Sequence, residues 1–251
     1  MLQVMVNGCN GKMGRIVADL VDKDESFILK CGLDKENTHD LSCPVYTDLS
    51  HIPEKPDVII DFSIPIATFK LLEYAKQNNV PVVIATTGFT GEEERKIAEY
   101  AGFIPIFKSA NMSFSINVFQ NLLKDIAPKF KDCDIEIVET HHNRKVDSPS
   151  GTAKMFANTI NQALGEEYYI EYNRHEKHEK RNKKEIGISS IRGGNIVGEH
   201  SVIFFGDSES FEIKHTSYSR NVFAEGAIKA AKFIADKPKG LYNMDDLVKN
   251  I

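Results

Sequence analysis

Short apolar runs alternate with longer segments in which apolar residues recur every three or four positions. The runs "LQVMVNG" and "PDVIIDFS" predict buried strands, and the segments "CNGKMGRIVADLVDKD" and "TGEEERKIAEYAG" predict amphipathic helices. Thr90 is expected to cap the helix of the latter segment. Because strands and helices alternate in this way, we predict a parallel, doubly wound α/β domain over residues 1–111.

The rhythm of the chain changes after about Asn111. A helical segment precedes the strand "CDIEIVETHH", and another helix is predicted to begin after Ser150. Residues 186–219 then alternate between apolar and polar and are interrupted by glycine pairs, which predicts an antiparallel meander. We therefore expect a second, α+β domain over 112–219 with a mainly antiparallel sheet. Periodicity leaves open whether the last amphipathic helix, within 220–251, docks on the first domain.

Composition restricts the classes of function. The chain has 251 residues, a formal net charge of −5 and 41% hydrophobic residues, which suits a soluble protein of one large or two modest domains. No overall positive field would draw it to nucleic acid or an anionic membrane. We find neither a signal peptide nor a transmembrane segment in the sequence, and the four cysteines are scattered. These features predict a cytoplasmic protein with reduced thiols.

Three glycines lie between the first predicted strand and the first predicted helix. Gly8, Gly11 and Gly14 form G-x-x-G-x-x-G, and Asp34 ends the second predicted strand about twenty residues later. Glycine lets the backbone approach a pyrophosphate, and the N-terminus of a helix offers free N–H groups. A plain tight turn is the alternative. The context favours a dinucleotide site.

The residues beside the glycine loop leave the choice of nicotinamide cofactor open. Asp34 favours NADH, because its carboxylate would repel a 2′-phosphate. Lys12 and Lys35 lie close enough in sequence to offset that repulsion, although either could be a solvated surface charge. The ends of two later strands, "DFS" and "TTGF", are predicted to lie at the same sheet edge and to line the ligand crevice, with ordinary turn chemistry as the alternative.

The densest group of titratable residues lies in "ETHHNRKVDSPSGTA", Glu139 to Ala153. Ser150 is predicted to cap a helix whose first N–H groups, at Gly151 and Thr152, could bind a carboxylate. Histidines and a lysine just before the helix supply a cation and groups that titrate near neutral pH. This combination is typical of a site for a small acidic substrate that needs a proton during reaction.

The histidines of the chain allow two other interpretations. A metal site from His141, His142 and Asp147 is conceivable, but the sequence has no recognisable zinc pattern, so we predict no metal. His175 and His178 lie in a run of charges without apolar residues, which predicts a solvated loop.

The segment Glu139–Ala153 reads E-x-H-H-x-x-K-x-D-x-P-S-G-T-A, and in this the chain resembles the dihydrodipicolinate reductase family. The resemblance extends from "VNGCNGKMGR" to "GLYNMDDLV". It implies an enzyme of lysine biosynthesis that uses NADH or NADPH to reduce a small cyclic dicarboxylate, 4-hydroxy-tetrahydrodipicolinate. The substrate loses water in this reaction. It also implies a homotetramer formed through the sheet of the second domain, and a C-terminal helix that returns to the first.

The resemblance also assigns residues. His141 and Lys145 would be catalytic, and His142, Gly151 and Thr152 would bind substrate. The residues expected to bind the dinucleotide are Gly8, Gly11, Lys12, Met13, Gly14, Asp34, Lys35, Phe62, Thr86, Thr87, Gly88, Ala110, Asn111, Met112 and Arg220. A hinge near Asn111 and Arg220 would let the two domains close during hydride transfer.

The sequence departs from the family pattern at two places, and three other functions compete with the one that the resemblance implies. Ala85 stands where the family often has glycine, which would place a methyl group near the nicotinamide, and the charged segment 174–184 is unusually rich in lysine. The rivals are another two-domain reductase, a non-catalytic dinucleotide sensor and a metal-dependent hydrolase. The long motif argues against all three.

Overall fold

A computed structural model describes residues 1–37 and 41–250. The described residues form two compact units, one within 1–114 and 221–250 and the other over Ser115–Arg220. Ile251, the end of the predicted segment 220–251, lies outside the described residues. No helix in the described part of the chain is both long and apolar enough to cross a membrane.

The elements follow the chain in an order close to the predicted one. The first part contains β1 (Leu2–Asn7), α1 (Lys12–Lys23), β2 (Phe27–Leu33), β3 (Val45–Tyr46), β4 (Val58–Asp61), α2 (Pro65–Asn78), β5 (Val82–Ile84), α3 (Gly91–Tyr100) and β6 (Pro105–Lys108). The middle part contains α4 (Phe114–Ile126), β7 (Asp134–His141), α5 (Gly151–Ala163), β8 (Tyr169–Glu171), β9 (Glu185–Arg192), β10 (Gly198–Phe205) and β11 (Ser210–Ser217). The last part contains α6 (Asn221–Ile234), β12 (Gly240–Tyr242) and α7 (Met244–Lys249).

The first unit is built on a parallel sheet, as predicted. Its strand order is β12-β6-β5-β4-β1-β2-β3, and every neighbouring pair is parallel. The chain leaves β1 toward β2 on one side and later returns to β4 on the other. The carboxyl ends of β1 and β4 therefore form the switch point at which open α/β sheets bind ligands.

Alternate residues of the parallel strands supply two separate cores. Val4 and Val6 of β1 pack on one face with apolar residues of α1 and α6. Met5, between them, packs on the other face with residues of α2 and α3. This alternation follows from the two-residue period of a strand. Both faces are covered, so the strands consist mainly of apolar residues.

Two helix starts follow the predicted capping chemistry. The Thr90 hydroxyl accepts from the N–H of Glu93, and the Glu93 carboxylate accepts in return from the N–H of Thr90, which completes a capping box. The Ser150 hydroxyl accepts from the N–H of Ala153 at the start of α5. Both predicted caps are confirmed.

The sheet of the second unit is mixed, which corrects the prediction of a mainly antiparallel meander. Its order is β11-β10-β7-β9-β8, in which β10 pairs antiparallel with β11 and β7, whereas β9 pairs parallel with β7 and β8. Of the predicted meander over 186–219, β10 and β11 form a hairpin, whereas β9 does not pair with β10. The reason is that β7, from earlier in the chain, lies between β9 and β10 and makes the central pairings with both.

The charged segment beyond β8 is only partly solvated. His175 and His178 are exposed, as predicted. Arg174 and Arg181, however, pair with the buried carboxylate of Glu185 at the start of β9. A buried carboxylate needs such partners, because an unpaired charge away from water is costly.

Candidate active site

The glycine loop of the first unit is shaped by close backbone contacts. Gly8 has a φ of +77°, and a Cβ there would lie 2.5 Å from the carbonyl oxygen of Phe62. A Cβ at Gly14 would lie 2.1 Å from the carbonyl oxygen of Gly8. Neither position tolerates a side chain. Among the described residues, α1 has no side-chain cap at its N-cap residue Gly11, so its first N–H groups remain suitable for a phosphate.

Two adjoining clefts lie at the carboxyl ends of the parallel strands, on either side of this loop. One has a volume of about 480 Å³ and the other about 740 Å³, and both are lined by Gly11, Phe62 and Ser63. The predicted cofactor residues that line one or both are Gly8, Gly11, Lys12, Met13, Asp34, Lys35, Phe62, Thr86, Thr87, Ala110, Asn111 and Met112. Gly14, Gly88 and Arg220 line neither cleft.

Asp34 is held at the edge of the larger cleft. Its carboxylate accepts from the N–H of Asn10 in the glycine loop at 2.8 Å and from the N–H of Lys35 at 2.8 Å. The Lys35 side chain is exposed and lines the same cleft. The structure thus brings together an anion suited to ribose hydroxyls and a cation suited to a phosphate.

A buried carboxylate lies beneath the clefts, in the segment "DFS" that was predicted at this sheet edge without a specific role for the aspartate. Asp61 ends β4, has no exposed surface, and accepts from the side chains of Asn7, Ser63, Thr68 and Thr86 at 2.5–3.0 Å. Burial raises its pKa, and these hydrogen bonds act in the opposite direction. Since its donors come from the ends of β1, β4 and β5 and from α2, Asp61 fixes the floor of the clefts.

These features together fit a dinucleotide. The glycine positions leave a cradle that a Cβ would fill, the uncapped helix start suits the pyrophosphate, and the two clefts suit the nucleoside ends.

In the second unit, Glu139 and His141 lie on the same face of β7. They are two residues apart, and both are buried, with relative exposures of 0% and 8%. The Glu139 Oε2 atom lies 2.5 Å from His141 Nδ1. Because an ionised carboxylate can only accept, Nδ1 is the donor. The second ring nitrogen, Nε2, faces Gly198, where a Cβ would lie 3.0 Å away.

Glu139 is held by several donors. Arg192 on β9 binds it in a bidentate pair, with Nη2 to Oε1 at 2.7 Å and Nη1 to Oε2 at 2.8 Å. The N–H of Ser150 donates to Oε1 at 3.1 Å. Burial alone would raise the pKa of Glu139, but the hydrogen bonds that its carboxylate accepts, above all those from Arg192, outweigh burial and hold the pKa at about 2.

Two histidines lie side by side in this interior. Burial lowers the pKa of His141, and Glu139 acts in the opposite direction. The ring of His200 meets the ring of His141 edge to face, with centroids 5.1 Å apart, and its Nε2 atom lies 3.0 Å from the Ser150 hydroxyl oxygen. Burial is the main reason why the pKa of His200 falls to about 3.

Lys145 lies in the loop between β7 and α5. Its Nζ atom is 2.8 Å from Asp147 Oδ1, and Lys145 is the main reason why the pKa of Asp147 is lowered. The Asp147 carbonyl oxygen in turn accepts from Arg192 Nη2 at 2.8 Å. The loop that carries the lysine is therefore fixed to the guanidinium that binds Glu139.

The start of α5 is open on its outer side. Gly151, the first helical residue, is exposed, and a Cβ there would have no heavy atom within 4 Å among the residues described. The Nδ1 atom of His142 is buried and has no hydrogen-bond partner in the described parts of the chain. The structure thus brings His141, Lys145 and the start of α5 to one network around Glu139. Residues 1–37 and 41–250 contain no group of three or more His, Cys, Asp or Glu side chains placed to hold a metal ion.

Sequence reasoning missed four members of this network: Glu139 as the central acceptor, Arg192, Gly198 and His200. One clue was present, since residues two apart on a strand share a face, and Glu139 and His141 have that spacing. Arg192 and His200 lie at the two ends of "RGGNIVGEH", a segment that also resembles the family, but only the strand order shows that β9 and β10 bring them beside β7.

Comparison with known proteins gives a consistent result over the whole chain. Two family models match, "Dihydrodipicolinate reductase, N-terminus" over residues 2–112 and "Dihydrodipicolinate reductase, C-terminus" over 115–248. A protein of Caldanaerobacter subterraneus named 4-hydroxy-tetrahydrodipicolinate reductase is 50% identical, over 99% of each chain. A Clostridium tetani protein of the same name is 49% identical, over 100% of this chain and 98% of its own.

A solved structure supports the same relationship. Dipicolinate-bound dihydrodipicolinate reductase from Paenisporosarcina sp. TG-14 is 26% identical, with a TM-score of 0.82 and complete coverage of both chains. The sequence matches indicate the same family as the fold, which combines a parallel sheet and its glycine loop with the mixed sheet of the second unit. This chain belongs to the dihydrodipicolinate reductase family.

Proposed function

We propose that this chain reduces 4-hydroxy-tetrahydrodipicolinate to tetrahydrodipicolinate, with NADH or NADPH as reductant and loss of water, in the diaminopimelate route to lysine. The names of relatives that are about half identical over the full chain support this reaction. One structural observation carries it. The buried Glu139 carboxylate binds both His141 and the N–H of Ser150, so a proton donor and an open helix start share one anchor.

The first unit would hold the dinucleotide. Gly8, Gly11 and the first turn of α1 would bind the pyrophosphate, Asp34 the adenosine ribose, and Thr86 and Thr87 would flank the nicotinamide. When bound, the reduced nicotinamide would supply a hydride. The hydrogen bonds that Asp61 accepts would keep the strand ends in place while the cofactor exchanges.

The second unit would hold the dicarboxylate. The N–H groups of Gly151 and Thr152 at the start of α5 would bind one carboxylate, where the helix dipole also favours negative charge. His142 would contact the other carboxylate. Lys145 would add a positive charge and polarise the substrate. A dianion that leaves water needs several such donors, because each unpaired charge is costly to desolvate.

His141 would deliver the proton. Its Nδ1 atom is committed to Glu139, so Nε2 is the nitrogen that would donate to the carbon or enamine left after hydride transfer. The Glu139 carboxylate would favour the protonated ring and so offset part of the effect of burial, which lowers the pKa of His141.

We further propose that the protein is a cytoplasmic homotetramer that assembles through the second unit. The family resemblance supports this arrangement. Phe205 on β10 is also more than 40% exposed, as expected for a residue that a partner covers.

A coupled assay tests the reaction. Substrate would be formed in situ from pyruvate and aspartate semialdehyde by the preceding synthase, and oxidation of NADH or NADPH would be followed by absorbance. The proposal expects turnover that dipicolinate inhibits. Cofactor binding without turnover would refute it and favour a dinucleotide sensor, and turnover with a different carbonyl substrate alone would favour another reductase.

A further inference from the structure

The bidentate pair of Glu139 and Arg192 contacts His141 and the loop that carries Lys145, the two residues to which we assign catalysis. We propose that this pair is a positioning device that fixes the tautomer of His141 and the place of Lys145 for the reaction. The inference rests on the proposed function, because it assigns a role relative to the catalytic groups of that reaction. Neither Glu139 nor Arg192 is itself proposed to touch substrate.

The first step concerns the charge of Glu139. A carboxylate with no exposed surface remains ionised only if it is paired and hydrogen-bonded. Arg192 supplies two parallel hydrogen bonds, and the Ser150 N–H supplies a third to Oε1. The Oε2 atom is thereby kept as an anionic acceptor directed at His141.

The second step concerns the proton on His141. Since Oε2 can only accept, His141 carries a proton on Nδ1 in both its neutral and its charged form. The exchangeable proton is then always the one on Nε2. Gly198 has no side chain that would cover this nitrogen. The pair therefore selects which nitrogen can donate, as well as the direction in which it points.

The third step concerns Lys145. The same guanidinium donates from Nη2 to the Asp147 carbonyl oxygen, and the Asp147 carboxylate binds Lys145 Nζ. Arg192 Nη1 donates further to the carbonyl oxygen of Ile191. Each terminal nitrogen of Arg192 thus donates to Glu139 and to one backbone carbonyl oxygen. The guanidinium is therefore poorly placed to bind a substrate carboxylate.

The main competing explanation is that Glu139 and Arg192 only stabilise the second unit. The pH profile separates the two, because a purely structural pair would leave it unchanged. The charged and titratable groups that face His141 are Glu139 on the same strand, Arg192 on β9, His200 on β10 and Lys145 in the loop after β7. Of these, only Glu139 favours the protonated ring. Removing its charge should therefore move the basic limb of the kcat/KM profile to lower pH.

The test compares Glu139→Gln with Glu136→Gln. Glu136 also lies on β7 and pairs with an arginine, Arg181, but it belongs to the opposite face of the strand. We expect Glu139→Gln to lower kcat/KM about 10- to 100-fold, with a shifted basic limb and an unchanged Kd for NADH. Glu136→Gln should keep the wild-type profile. Equal losses in both variants, or an unshifted limb in Glu139→Gln, would overturn the proposal.

Arg192 gives a rescue experiment. Arg192→Lys keeps a cation that can bind Glu139 at one point, whereas Arg192→Met leaves the carboxylate unpaired. We expect Arg192→Lys to retain several times more activity than Arg192→Met. Equal activity in folded samples of both variants would contradict the positioning role of Arg192.

A spectroscopic measurement keeps the inference testable if the substitutions prevent folding or if the proposed reaction fails. Nitrogen-15 shifts of labelled histidine distinguish the two neutral tautomers without any substrate. The inference expects His141 in the wild-type protein to be protonated on Nδ1 at a pH where it is neutral. Protonation on Nε2 alone would overturn it, even if the enzyme turned over as proposed.

Discussion

Gly198 lies against the Nε2 atom of His141, so close that a Cβ at position 198 would be 3.0 Å from it. A contact of that length requires the ring to move by a few tenths of an ångström. The ring cannot easily do so, because Nδ1 is bound to Glu139 and the ring meets His200 edge to face.

Gly198→Ala should therefore displace or cover the proposed proton donor. We expect kcat to fall about threefold to tenfold, since sub-ångström misplacement of a catalytic group is costly, with an unchanged Kd for NADH. Gly193→Ala is the matched control, because a Cβ there meets no heavy atom within 4 Å in the described structure. A wild-type kcat for Gly198→Ala would show that Nε2 of His141 does not take part in the reaction.

Gly151→Pro tests the helix start as an anion site. Ser150 has φ −62° and ψ 155°, a conformation that suits a residue before proline, and proline is accepted at the first helical position. The variant should fold but lose one N–H. We expect KM for substrate and Ki for dipicolinate to rise about tenfold, with kcat little changed. Gly151→Ala keeps the N–H and should resemble the wild type; similar KM values for all three proteins would refute this site.

Stability should depend on pH through His200. Its pKa falls from 6.5 to about 3 on burial, so the unfolded chain binds the proton first as pH is lowered. Stability attributable to His200 is therefore complete above pH 6.5 and declines as pH falls toward about 3, with a slope of at most about 1.4 kcal/mol per pH unit.

Urea denaturation at a series of pH values would measure this slope. The stability advantage of the wild type over His200→Asn should shrink as pH falls below 6.5. His175→Asn, at an exposed position, should leave the slope unchanged. A constant difference between the wild type and His200→Asn would show that His200 is not kept neutral by the fold.

Lys35 should contribute to the choice between NADPH and NADH. Its side chain lines the larger cleft beside Asp34 and would be attracted to a 2′-phosphate. Lys35→Gln should raise the Kd for NADPH only about threefold to tenfold, because an exposed charge acts weakly. The Kd for NADH, which has no 2′-phosphate, should stay nearly unchanged. Fluorescence titration would measure both, with Lys23→Gln as control. Equal changes for the two cofactors would exclude this role.

The parts of the structure that could be predicted are those with local causes. The apolar period of α1 and the capping residues Thr90 and Ser150 depend on neighbours a few positions away, and they were found. The short strands β3, β8 and β12 have two or three residues each, and only their pairing with β2, β9 and β6 defines them. The sequence pattern did not reveal them.

The same distinction applies to the site. The motif from Glu139 to Ala153 is contiguous, so its histidines, lysine and helix start were all recognised from the sequence. Arg192 lies 53 residues beyond Glu139 and meets it because β7 and β9 pair in parallel. The position of β7 between β9 and β10 is a property of the whole sheet. Arg192 and His200, which reach this network from the strands beside β7, were for that reason outside the reach of the motif.

The most direct test is the initial rate of NADH oxidation by the wild type and by His141→Gln, with substrate generated in situ. The account predicts wild-type turnover that dipicolinate inhibits. In the variant, kcat should be lower by a factor of about 100 or more, with the same Kd for NADH. No turnover by the wild type would contradict the proposed reaction. An unchanged kcat in His141→Gln would remove the histidine from the mechanism.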